Sequence, residues 1–93
     1  MVTIEEAKQI ILKMSDCFDS HDFINQYCVL YEKDYVQMLY ESIESDGIFR
    51  AVDASIGKFL ANNQRELSIS KTDIEMSQNI KGNITECQGW KKI

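Results

Sequence analysis

Ninety-three residues, 44% hydrophobic and 27% charged, define one small globular domain, residues 1–93, rather than a disordered chain. The net charge of −5 argues against broad nucleic-acid affinity, because phosphate attraction is electrostatic. No apolar run approaches the roughly 20 residues of a membrane span.

The charge is unevenly placed. Residues 1–49 hold Lys8, Lys13 and Lys33 against ten acidic side chains, whereas residues 50–93 hold seven basic and five acidic ones. The second half is therefore the place to look for a basic face.

Met1-Val2-Thr3-Ile4-Glu5-Glu6 lacks the basic flank and apolar core of a secretion signal. Together with an odd count of three cysteines and no C-x-x-C spacing, this predicts a cytoplasmic protein with reduced thiols. Thr3-Ile4-Glu5-Glu6 is a capping box. It opens a helix whose stripe is Ile4, Ala7, Ile10, Ile11 and Met14, ending near Ser15-Asp16.

Asp19 and Ser20 are cap residues for a second helix, with Phe23, Ile24, Tyr27, Leu30 and Tyr31 on its apolar side. A further stripe follows at Tyr35, Val36, Leu39 and Ile43. The two stripes centre at about 40° and about 170° around a common axis at 100° per residue. One straight helix cannot bury both, so a break is expected at Glu32-Lys33-Asp34, with Asp34 as the cap.

Ser45-Asp46-Gly47 is a stop signal, and a fourth helix is expected over roughly 48–65. Its inner face is Phe49, Val52, Ile56, Phe59, Leu60 and Asn63. Arg50, Lys58 and Arg65 fall within about 80° of one another on the opposite side. Gly57 lies in the middle of this helix, where its absent side chain is read first as room for a close-packed neighbour and second as room for a ligand.

After Leu67 the period changes to two. Leu67 and Ile69 alternate, as do Ile74 and Met76. Gly82-Asn83 between Ile80 and Ile84 is a hairpin turn. The return strand, Thr85 to Trp90, carries the only Trp, which is expected to anchor the hairpin on the helices.

No arrangement of reactive side chains meets the requirements of an enzyme. Cys17, His21 and Asp22 lie close in sequence, but no oxyanion hole or glycine-rich turn accompanies them, and His21 reads as a surface or cap residue. The spacing of Cys17, His21, Cys28 and Cys87 matches no zinc knuckle, so no metal or other cofactor is assigned. The four glycines form no phosphate-binding loop. Phe18, Phe23, Tyr27, Tyr31, Tyr35 and Tyr40 are read as core, with some left over for an exposed contact patch.

The chemistry that remains is binding. Arg50, Lys58 and Arg65, with Ser77, Asn79, Lys81 and Asn83 at the hairpin, form the mix of cations and small polar groups that contacts phosphates. They are the candidate nucleic-acid-binding residues.

Helices followed by a two-stranded hairpin resemble the winged helix-turn-helix superfamily, over about Asp19 to Lys92. The expected fold is thus mainly α with a C-terminal β-hairpin, an α+β, winged-helix-like domain. The resemblance sets the helix carrying Arg50, Lys58 and Arg65 in the place of the recognition helix and Ile74 to Trp90 in that of the wing. The extra helix near 34–44 and the acidic total depart from the pattern. Winged-helix domains bind DNA or protein, so the resemblance alone does not select the ligand; the basic stripe and the polar hairpin tip set a DNA-binding or regulatory module narrowly first. The alternative is a protein-interaction module, including a homodimer that pairs the acidic half of one copy with the basic half of the other.

Overall fold

In the computed structural model, which describes residues 1–93, Thr3 caps helix α1 (Ile4–Lys13). Its hydroxyl accepts from the Glu6 amide at 3.1 Å, and the Glu6 carboxylate accepts from the Thr3 amide at 2.9 Å. Asp19 caps α2 (Ser20–Leu30) in the same way, with Asp22 as its reciprocal partner at 2.8 and 3.1 Å. Such caps satisfy amides that have no partner inside the helix and typically contribute about 1 kcal/mol each.

The break between the second and third helices falls earlier than expected. Tyr31, at φ −125° and ψ 52°, ends α2 and begins α3 (Glu32–Glu41). Asp34 is not the cap but lies in the first turn of α3 beside Glu32, where negative charge meets the positive end of the helix dipole. The buried face shifts accordingly. Tyr35 and Met38 are buried, while Val36 and Ile43 are exposed.

The helix expected over 48–65 is two helices, α4 (Ile48–Asn62) and α5 (Gln64–Leu67), separated at Asn63. The Asn63 side chain donates to the Phe59 carbonyl at 2.7 Å, and the Gln64 side chain donates to that of Ala61 at 3.0 Å. These bonds supply partners for carbonyls at the end of the helix. Leu67, expected to open a strand, is buried in α5, and Ser68 ends α5 in the left-handed region at φ 54°.

Strands β2 (Ile69–Gln78) and β3 (Ile84–Lys92) form the expected antiparallel hairpin. Gly82 turns it at φ +87°, and the Asn79 side-chain oxygen accepts from the Lys81 and Asn83 amides, both at 3.0 Å. The sheet, however, has three strands, not two. β1 (Cys17–Asp19) joins the other edge of β3 in the order β1-β3-β2, with Phe18 opposite Trp90 and Asp19 opposite Gly89. Three residues are too few to show an alternating pattern, so this strand is invisible until its partner arrives from the far end of the chain.

One apolar core joins the helices to the base of this sheet. It includes Ile10, Phe23, Tyr27, Tyr35, Val52, Ile56, Leu60, Ile69 and Trp90. Tyr27 packs edge-on against Tyr35 with ring centroids 6.3 Å apart. Burial drives the phenols of both tyrosines far above their usual pKa, with nearby carboxylates adding to the effect. Trp90 fills its expected role. It is 1% exposed, and its indole N–H donates to the Ser20 hydroxyl at 2.9 Å. No helix is long and apolar enough to cross a membrane.

Candidate functional site

β1 stops at Asp19, and Ser20 continues along the same edge of β3, its hydroxyl donating to the Gln88 carbonyl at 3.1 Å. The start of α2 is thereby held against the sheet. α4 runs on the far side of a cleft of about 550 Å³. The wall from α4 is Phe49, Arg50, Asp53, Ala54, Gly57 and Ala61, a spacing of three and four residues that marks one helix face. The opposite wall comes from the hairpin and includes Lys71, Asn79, Lys81 and Asn83.

Gly57 corrects an expectation. A Cβ built there meets nothing within 4 Å. The residue faces the cleft, and no neighbouring element packs on it.

The structure separates the sequence-predicted binding residues into groups. Arg50, Asn79, Lys81 and Asn83 come together on the cleft. Lys81 Nζ lies 5.8 Å from the centre of the Phe49 ring, linking the hairpin tip to the start of α4. Lys58 instead lines a separate hollow with Val2, Met38 and Phe59. Arg65 is exposed on α5, and the break at Asn63 removes it from the stripe it was to share.

Ser77 is half-buried and engaged within the protein. Its hydroxyl lies 2.8 Å from His21 Nδ1 and 3.4 Å from Cys87 Sγ. His21, read as a surface or cap residue, lies in the first turn of α2 but is buried, and it lines the cleft with Cys87. The cysteine beside His21 is thus Cys87, sixty-six residues away, and not Cys17, which is exposed on β1. All three cysteines are free.

A second polar link crosses the helices. The Tyr35 hydroxyl donates to Asp53 Oδ1 at 3.0 Å. Burial raises the Asp53 pKa above the ordinary carboxylate value, and the Tyr35 hydrogen bond and the charge of His21 offset part of that rise.

Reading the residues one by one missed Lys71 as a wall of the cleft, and it missed the meeting of Asp19, His21, Ser77 and Cys87. Lys71 lies on a strand among other polar residues with nothing local to distinguish it. The four others meet only because β1 pairs with β3. Comparison with known protein families, with characterised proteins and with solved structures finds no match for this chain.

Proposed function

We propose that this chain is a non-enzymatic binding module of winged-helix type, acting as a DNA-binding or regulatory protein. α4 takes the place of the recognition helix and the β2–β3 hairpin that of the wing. The observation carrying this reading is that Arg50 on α4 and Lys71, Lys81 and Asn83 on the hairpin share one cleft. Cations and amides converging from two elements suit a phosphate backbone. Asp53 and Glu86 line the same cleft, and the total charge is −5, so affinity is confined to low salt.

The test is binding of duplex DNA across a salt series. Log affinity should fall linearly with log salt, with a slope of about −0.9 for each phosphate neutralised. Arg50→Gln with Lys81→Gln should make that slope shallower by about two phosphate contacts. Absence of binding at about 50 mM salt, where phosphate contacts are strongly favoured, rejects the reading.

A specific observation favours a second reading, a self-associating protein module. Ile74 and Met76 alternate on one face of β2, and Ile84 joins them there because it is the partner of Gln78. All three are more than half exposed. A dimer formed through this face should persist in high salt, because apolar burial is not screened. Sedimentation at several protein concentrations distinguishes it from a monomeric DNA binder.

A further inference from the structure

We propose that Asp19, His21 and Cys87 bind one thiophilic divalent cation, zinc by the chemistry of the donors, at the sheet end of the cleft. One donor atom from each residue lies within 4.8 Å of the other two. Asp19 and His21 are buried, and Cys87 is half-buried.

The backbone accounts for this meeting. Asp19 is the last residue of β1 and pairs with Gly89, and Cys87 lies two residues before Gly89 on β3. Partners across a ladder and residues two apart share a sheet face, so Asp19 and Cys87 lie side by side. His21 follows in the first turn of α2, fixed by the Asp19–Asp22 capping box. All three donors stand on regular elements, which hold a site more rigidly than loops do.

The donor set selects the metal. One carboxylate oxygen, one imidazole nitrogen and one thiolate suit a borderline-soft ion. Magnesium and calcium favour oxygen ligands alone. The carboxylate and the thiolate together supply two negative charges for a divalent ion. Asp19 and His21 each keep an atom free, and Cys87 Sγ would exchange its 3.4 Å contact with Ser77 Oγ for the ion. Asp19 Oδ1 accepts from the Asp22 amide, which leaves Oδ2. His21 Nδ1 is engaged with Ser77, so Nε2 is the nitrogen we assign to the ion. A hydroxyl on the second ring nitrogen is the outer partner that orients a ligating histidine.

The donors lie within 4.8 Å of one another before any ion is bound. Ligand atoms about 2.0–2.3 Å from zinc lie roughly 3.5 Å from one another. Filling therefore draws them inward by at most about 1.3 Å, within reach of side-chain rotation. The positive end of the α2 dipole opposes a cation, but that end already carries the carboxylates of Asp19 and Asp22. Because His21 and Cys87 both line the cleft, the fourth position of a tetrahedral ion opens towards it. Three protein ligands with one open position is the arrangement that takes a water or an incoming ligand. Binding displaces the Cys87 thiol proton to solvent as the S–metal bond forms. The site does not depend on the nucleic-acid reading.

The test is titration of the reduced full-length chain with Co²⁺ as a spectroscopic stand-in for zinc. One equivalent should produce a thiolate-to-cobalt charge-transfer band and the strong visible bands of a four-coordinate ion, and Zn²⁺ should displace it. Cys87→Ser should remove the charge-transfer band. Asp19→Asn, which keeps a good helix cap, and His21→Gln should each weaken zinc affinity at least tenfold. Ser77→Ala should weaken it by about 10–100-fold, the usual effect of losing an outer partner. Cys17→Ser and Cys28→Ser should change nothing, and circular dichroism confirms that each variant is folded. The proposal is overturned if the folded chain shows no such band, or if the band survives Cys87→Ser and disappears with Cys17→Ser or Cys28→Ser. It is equally overturned if Asp19→Asn and His21→Gln both leave the affinity unchanged.

Discussion

Trp90 and Ile84 lie on the same face of the same strand, an even number of residues apart, yet Trp90 is 1% exposed and Ile84 is 61% exposed. The base of the β2–β3 hairpin is core, and the Ile74, Met76 and Ile84 face of its far end stands in solvent. The difference originates outside the hairpin. At the base, β1 covers the second edge of β3 and Ser20 receives the Trp90 indole N–H. Beyond Gln88 no third strand continues, and the hairpin faces α4 only across the cleft. Alternation therefore identifies a strand, but burial depends on what lies beside it. The open far end is also what leaves room for a ligand.

The largest test of this contrast is Trp90→Ala. It removes the anchor at the closed end and should cost about 3–5 kcal/mol, the range for truncating a packed aromatic. Urea denaturation measures it. A cost below about 0.5 kcal/mol, as at a surface site, would mean that the base is as loose as the tip.

Two glycines sharpen the comparison. A Cβ at Gly89 would overlap the Glu75 carboxylate, the Thr72 hydroxyl and the Asp73 carbonyl. The last is backbone, carried over Gly89 by the register shift between Lys71 and Ile74. Gly89→Ala should destabilise by about 1–3 kcal/mol, the usual penalty of overpacking. Gly57→Ala should do the reverse, because a helix interior favours Ala by about 1 kcal/mol and the position opens on the cleft. If both substitutions shift the melting temperature in the same direction, the division into a closed and an open side fails.

The smallest effect is expected at the tip. Met76→Thr and Ile84→Thr should each change stability by less than about 0.5 kcal/mol, as exposed positions do. A markedly larger loss that grows with protein concentration would show that a second copy covers this face.

Where short-range forces decide, the sequence by itself determined the outcome. Thr3 with Glu6, and Asp19, mark helix starts because a cap acts over three residues. Gly82 marks the turn because only a residue tolerant of positive φ suits that position. Trp90 is legible as an anchor because so large an apolar surface must be buried somewhere. The boundary at Tyr31, which has no side-chain cap, was misplaced, and the one at Asn63, marked only by side-chain bonds to the Phe59 and Ala61 carbonyls, was missed. They follow from how α3 and α5 fit their neighbours, and the second of them divides Arg65 from Arg50.

Only the tertiary structure decided the third strand, the open face of Gly57, the crowding at Gly89 and the meeting of Asp19 and His21 with Cys87. Each depends on pairing between the first twenty-one residues and the last ten, on the irregular register of β2 against β3, or on the distance between α4 and the hairpin. Periodicity and capping act along the chain over one or two turns. They carry no information about which distant backbone completes a sheet edge, so the candidate site became visible only when β1 and β3 were laid side by side.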